Sequence, residues 1–229
     1  MKTRLTGWFR LLVWLVLILS MASGASAQED GTRRVDVLQI EGPVTPVMIS
    51  YIERGIVAAE EDGSEALVVL LDTPGGQIDL MSDVVQAILD AQVPVVVYVY
   101  PRGAYAASAG TLITLAGHVA AMAPGTTIGA ASPVGGQGED LGETLETKVK
   151  EDLKAQARAL AGRRGEEAVA WAESAIEEAR AATAEEALEM NVIDFVADGV
   201  DDLLAQMDGF QVEVDGEEVT LQTADATTR

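Results

Sequence analysis

The chain predicts an α/β fold in which parallel strands are joined by right-handed helical crossovers. Three observations carry that expectation. Two continuous apolar runs, ALVVLLDT and PVVVYVY, read as strands buried on both faces. Segments of helical periodicity stand between the strand-like runs. Glycine-rich turns, DTPGGQ and PRGAYAASAG, sit at the carboxyl ends of those runs, where open parallel sheets bind ligands.

Taken in order, VDVLQIEG alternates as a strand, and TPVMISYIERGIVAAEEDG follows as a helix. Thr45 is its N-cap, Pro46 its first position, and Gly63 lies past its end. After ALVVLLDT, the helix IDLMSDVVQAILDAQ aligns Ile78, Met81, Val84, Val85 and Ile88 on one stripe. PVVVYVY leads through the small-residue turn into a short helix, GTLITLAG, and a further strand, HVAAMAP. Residues 125 to 147, rich in glycine, threonine and acids, read as a long, partly mobile loop. Two helices follow, KVKEDLKAQARALAGRRG and EEAVAWAESAIEEA. In TAEEALEMN, Thr183 and Glu186 have capping-box spacing and Asn191 stands where the helix ends. VIDFVA is a strand, GVDDLLAQM a helix, and FQVEVDGEEVTLQT a hairpin turning at Asp215-Gly216.

The first 27 residues have the form of a secretory signal peptide: Lys2, Arg4 and Arg10, then LLVWLVLIL, then Ala25-Ser26-Ala27. An uncleaved anchor is the alternative reading. Residues 28–33 form a linker, 34–209 the main domain, and 210–229 a C-terminal hairpin and tail. The mature chain is thus expected outside the cytoplasm. It has no cysteine, hence no disulfide, thiol nucleophile or cysteine metal site. One histidine and scattered carboxylates predict no metal centre, and no cofactor is expected. Without the leader the formal charge is −25, which disfavours nucleic acid and anionic lipid as partners.

Ser108 lies in PRGAYAASAG at or just before the first turn of a helix, where free N–H groups and the helix dipole favour a developing anion. The N–H of Ala109 and a second from Gly75 or Gly76 could hold an oxyanion beside an attacking serine. The same small residues equally suit close helix–strand packing around a hydrogen-bonded serine. His118 follows ten residues later, about 15 Å along a helix, which argues against a Ser-His pair. The lysines outside the leader are Lys148, Lys150 and Lys154. A desolvated lysine can act as base for a serine. Val149, Leu153, Ala157 and Leu160 form the buried stripe of that helix, with Lys148 on one flank and Lys150 and Lys154 on the other. A solvated basic face explains the same pattern.

The segments LDTPGGQIDLMSDVVQAIL, PVVVYVYPRGAYAASAGTLI, AMAPGTTIGAASPV and TAEEALEMNVIDFVA resemble the extracytoplasmic protease domain of the NfeD family, over residues 34 to 205. These are membrane-associated serine proteases of the Clp-protease/crotonase superfamily, related to signal peptide peptidase A. The resemblance implies a ClpP/crotonase-like spiral and a Ser-Lys dyad that cleaves apolar peptide segments. It places the nucleophile at Ser108, the base at Lys148 (or Lys150, across the variable loop), and the oxyanion hole at Gly75, Gly76 and Ala109. It also implies homodimers or larger homo-oligomers and a stomatin/prohibitin-like membrane partner whose apolar C-terminal segment is the substrate. Relatives commonly continue into transmembrane helices and a small β-barrel, so the sequence is either a short form or a truncated reading. Tyr105, where relatives also carry small residues, is expected to narrow the cleft. Two other functions are weighed: a catalytically weak scaffold for stomatin-like partners, and a crotonase-type acyl-CoA enzyme, which export and the charge of −25 disfavour.

Overall fold

A computed structural model describes residues 33–135, 138–139 and 141–229. The signal peptide and nearly all of the linker lie outside the described residues. Strands β1 (Arg34–Glu41), β2 (Ala66–Asp72), β3 (Val95–Val99), β5 (Val119–Met122) and β8 (Phe195–Val196) form a parallel sheet. The C-terminal β11 (Thr227–Thr228) completes it beside β1, in the order β11-β1-β2-β3-β5-β8. The crossovers are α1 (Pro46–Glu61), α2 (Ile78–Leu89) and α3 (Ala109–Ala116).

Strand periodicity explains why β2 and β3 carry no polar alternation. Leu67, Val69 and Leu71 with Val95, Val97 and Val99 enter one core, shared with α1, α2 and α3. Val68, Leu70, Val96 and Tyr98 enter a second core on the opposite face. That face is covered by Leu203, Leu204 and Met207 of α7 (Val200–Met207) and by Val212 and Val214 of the hairpin β9 (Gln211–Val214) and β10 (Glu217–Thr220). Both faces are therefore dry, as parallel sheets require.

Local signals behave as chemistry predicts. Thr45 Oγ1 accepts from the Met48 N–H at 3.3 Å, with Pro46 opening α1 and Gly63 following it at φ +64°. Thr183 and Glu186 make both bonds of the capping box at the start of α6 (Ala184–Glu189), and Asn191 takes φ +55° beyond it. Asp215 (φ +50°) and Gly216 (φ +78°) turn the hairpin.

Four expectations need correction. The loop placed at 125–147 contains β6 (Thr127–Gly129), paired in a small sheet with β4 (Tyr105–Ala107) and β7 (Ala181–Thr183). The following helix, α4 (Glu143–Ala161), starts five residues before Lys148; Glu143 and Glu146 in its first turn complement its dipole. Ala161 rather than Leu160 closes its fully buried stripe with Leu153 and Ala157. Ile78 is 39% exposed rather than buried, because it lies in the first turn of α2 beside a surface cleft. After α4 come a 3-10 turn (Gly162–Arg164) and α5 (Glu166–Glu177). Among the described residues, no helix is long and apolar enough to cross a membrane.

Candidate active site

The site is assembled where the two glycine-rich turns meet. Ser108 is the N-cap of α3 and adopts φ +54°, ψ −118°, a strained conformation for a residue with a Cβ. Three groups hold it there. Its N–H donates to the Gly129 carbonyl at 3.0 Å, and its own carbonyl accepts from the Thr111 N–H at 2.9 Å. The buried Thr111 hydroxyl lies 3.1 Å from the Ala106 carbonyl and 3.0 Å from that of Gly129, and accepts from the Gly129 N–H at 3.1 Å. Thr111 thus ties β4, β6 and the serine turn together.

The DTPGG turn is pressed against this strained point. Thr73 donates its N–H to the Tyr105 carbonyl and accepts the Ala107 N–H, extending the β4 ladder. Gly75, at φ +105°, approaches so closely that a Cβ there would sit 2.6 Å from the Ser108 Cβ and 3.1 Å from the Ala109 nitrogen. Its N–H donates to Thr73 Oγ1 at 3.1 Å, so it is already engaged. Gly76 is needed for a different reason: its Cβ would strike Val44, at 2.7 Å. Of the three predicted oxyanion donors, the N–H groups of Gly76 and Ala109 have no acceptor among the described residues. Gly110 answers the packing reading of the same segment, since a Cβ there would meet Thr73 Cγ2 at 2.6 Å. Close packing therefore falls on Gly110, while Ala109 beside it keeps an N–H without an acceptor among the described residues.

Ser108 and Ala109 line a cleft of about 70 Å³ with Gly76, Ile78, Leu112, Pro133, Val134 and, from α4, Leu153. Apart from Ser108, no lining side chain is polar. Tyr105 is 41% exposed and is not in the wall, so it does not narrow the cleft. Lys148 is exposed and likewise outside the wall. Helical geometry gives the reason: five residues before Leu153, it projects roughly 140° away around the helix. Lys150 projects roughly 60° from Leu153, nearer the cleft side, but it is tied to Glu146 at 2.9 Å and to the Glu177 carbonyl at 3.2 Å. The Glu146 hydrogen bond is the main cause of its raised pKa. Lys154 is held by Glu151 and Glu177, which raise its pKa as well. The structure thus brings together Ser108, Gly75, Gly76 and Ala109, and neither candidate lysine lines the cleft beside them. Thr73, Thr111 and Gly129 support the site without having been anticipated. Two buried threonines flanking the small-residue turns were the available signal.

His118 lies beyond the opposite end of α3 and lines a different cavity, as the distance along the helix predicted. Its Nδ1 accepts from the Val95 N–H at 3.0 Å. Among the described residues, no cluster of histidine and carboxylate side chains is arranged to hold a metal ion.

Known proteins share this fold. Residues 34–215 match the family NfeD1b, N-terminal domain. The chain is 38% identical over 224 residues to Membrane-bound protease PH1510 of Pyrococcus horikoshii, covering 96% of this chain and 49% of that protein, so it spans about half the length of that relative. Among solved structures, it is similar to a lysine-to-alanine variant of the 1510-N membrane-bound stomatin-specific protease in complex with a substrate peptide. There the TM-score is 0.80 and the identity 37%, over 87% of this chain and 92% of the other. A serine-to-alanine variant of the same protease superposes with a TM-score of 0.79. ClpP1 from Listeria monocytogenes shares the fold at 16% identity, with a TM-score of 0.58 over 73% of this chain and 94% of that one. The chain belongs to the NfeD family, as an NfeD1b N-terminal domain with a ClpP-like fold.

Proposed function

We propose that the chain is a serine peptidase that cleaves apolar segments of membrane-associated proteins outside the cytoplasm. The observation that carries this reading is the backbone of Ser108, held at positive φ at a strand–helix turn with the open N–H groups of Ala109 and Gly76 nearby. A buried packing serine needs neither the strain nor the open donors. The apolar cleft, with Val134 64% exposed at its edge, supports an apolar peptide as substrate. The likeness to a stomatin-specific protease supports a stomatin-like partner. Export rests on the leader sequence, and assembly into homodimers or larger homo-oligomers rests on the family resemblance.

In this mechanism Lys148, as a neutral amine, takes the Ser108 Oγ proton while Oγ attacks the scissile carbonyl. The N–H groups of Ala109 and Gly76 receive the oxyanion. Collapse returns the proton to the leaving amine, and water then releases the acyl group from Ser108 by the same route. Lys148 is preferred to Lys150 because it has no ion-pair partner among the described residues, whereas Lys150 is held charged by Glu146 and Glu177. Spacing does not choose between them: the separation of the serine and lysine replaced in the two protease variants falls between Ser108–Lys148 and Ser108–Lys150. A lysine works as base only when desolvated, so the first turns of α4 must reorient over the cleft when peptide binds.

Ser108→Ala is expected to lower cleavage of an apolar peptide by a factor on the order of 10⁴ or more without loss of fold. Lys148→Ala should match it, while Lys150→Ala should retain most activity. Unchanged turnover in Ser108→Ala overturns the mechanism, and the reverse ranking of the two lysines moves the base to Lys150. The absence of both lysines from the cleft wall favours one other reading, a catalytically weak scaffold for stomatin-like partners. It predicts peptide binding without turnover and no covalent adduct at Ser108 with a fluorophosphonate.

A further inference from the structure

A cavity of about 450 Å³, far larger than the cleft at Ser108, opens at the other end of α3. One wall is cationic and donor-rich: His118, Arg163 and Arg164. The other is apolar, with Leu188, Ile193, Phe210 and Val212. Asp194 and Glu213 complete its charged groups.

Capping alone does not explain this wall. The carbonyls of Leu115 and Gly117, at the end of α3, need donors, and Arg164 supplies them. Its Nη1 lies 3.1 Å from Leu115 O, and its Nη2 lies 3.3 Å from Gly117 O and 2.9 Å from Asp194 Oδ2. Its side chain is 3% exposed and its charge is matched by Asp194. Arg163 then reaches the same two carbonyls through Nη2 alone. A second guanidinium is thus set beside the first with no new carbonyl to satisfy. No carboxylate forms an ion pair with Arg163, and its Nε and Nη1 have no acceptor among the described residues. Loss of hydration and the neighbouring Arg164 lower its pKa to about 10, against the opposite pull of Asp194 and Glu213, so it stays charged at neutral pH. His118 adds a further donor, because the bond from Val95 occupies Nδ1 and leaves the proton of the neutral ring on Nε2.

We propose that this cavity binds a small organic monoanion, one carboxylate on a compact apolar body. The two arginines and two carboxylates of the cavity balance formally, so the charge of the ligand is set by the one guanidinium, Arg163, that makes no ion pair among the described residues. The wall of Leu188, Ile193, Phe210 and Val212 takes the body and disfavours strongly hydrated oxyanions. The volume lies within the range of small-molecule sites. Glu213, exposed and in no ion pair among the described residues, opposes the ligand from the rim.

His118 is the only histidine of the chain, so its imidazole proton resonance reports on this cavity alone. Octanoate titrated into the protein at pH 7.5 should shift that resonance saturably. Octan-1-ol, without the charge, and inorganic phosphate, without the apolar body, should each bind at least about tenfold more weakly. Arg163→Gln should weaken octanoate about tenfold or more, and Glu213→Gln should tighten it a few-fold. The inference is overturned if octanoate leaves the His118 signal unmoved, if octan-1-ol or phosphate binds as tightly, or if Arg163→Gln binds like the unaltered chain. Ser108→Ala should bind octanoate normally; loss of binding there would mean that the anion sits in the peptide cleft instead.

Discussion

At its amino end α3 meets bare backbone, whereas at its carboxyl end it meets two guanidiniums. Both ends carry the partial charges of an eight-residue helix, positive at Ala109 and negative at Ala116. Around Ser108 the chain places glycine, alanine and threonine, leaves the N–H groups of Ala109 and Gly76 open, and brings no charged side chain into the wall. Around Gly117 it satisfies the carbonyls twice over with Arg163 and Arg164. The difference teaches what each end is for. A donor left unpaired in an apolar cleft is costly in the resting state, and in the proposed mechanism it would receive the oxyanion. A carbonyl end that is fully capped anchors the helix, so that its other end stays where the strained serine needs it.

Within this comparison, the largest expected effect on activity comes from filling the bare end. In Gly75→Ala the new Cβ would lie 2.6 Å from the Ser108 Cβ and 3.0 Å from the Ala107 carbonyl, on a backbone at φ +105°. The turns must separate, and a displacement of this kind is expected to lower kcat/KM for an apolar peptide by about a hundredfold or more. Gly103→Ala is the matched control: φ is +86°, but open space surrounds the new Cβ. It should cost roughly 1–2 kcal/mol of stability, from backbone strain alone, and leave activity near normal. Equal activity in the two variants would show that the approach of Gly75 to Ser108 is packing without catalytic consequence.

Uncapping the other end should act on stability. Arg164→Gln removes a buried ion pair with Asp194 and one donor each to Leu115 and Gly117, for an expected loss of about 3–5 kcal/mol in chemical denaturation. Arg163→Gln, at an exposed residue that duplicates the same bonds, should cost less than about 1 kcal/mol. If the two lose equal stability, Arg163 is structural and the anchoring role is shared.

The contrast also marks how far the sequence could be read. The amino end was legible because it is written in local chemistry: Ser108 and its glycines sit in short turns after apolar strands, and turn position follows from strand position. The order of β1, β2, β3 and β5 with the three crossover helices between them and the capping box at Thr183 were legible for the same reason. Three features were not. The small sheet of β4, β6 and β7 joins three-residue strands from distant parts of the chain, too short to show any period. The early start of α4 was hidden because Glu143 and Glu146 look like loop acids until their place at a helix N-terminus is known. The double arginine cap depends on a 3-10 turn folding back over α3, a contact across about 48 residues with no local signature. Lys148 shows the opposite limit: the family resemblance names it, yet helical phase points it away from Leu153 and the cleft.

A pH titration tests the carboxyl end. Burial, with Arg163 and Arg164 close by, pulls the His118 pKa from 6.5 down to about 4. The Val95 N–H donates to Nδ1, a bond that exists only while that nitrogen is unprotonated, so it too favours the neutral ring. The unfolded chain takes up a proton near pH 6.5, while the folded chain refuses it until about pH 4. The unfolded state therefore binds more protons throughout that window, and stability falls as pH falls. Between pH 7 and pH 5 the loss from this one group is about 2 kcal/mol. Urea unfolding of the unaltered chain and of His118→Gln across that window isolates it, because the carboxylates titrate alike in both. The unaltered chain should lose about 2 kcal/mol more than the variant, and parallel curves would mean that His118 is solvated or free to leave the arginines. The buffer must carry no carboxylate. An organic anion beside Arg163 and Arg164 would offset the field that keeps the ring neutral, raise its pKa and flatten the difference. Repeating the pair of titrations with octanoate present then connects the stability of this end of the helix to the occupancy of its cavity.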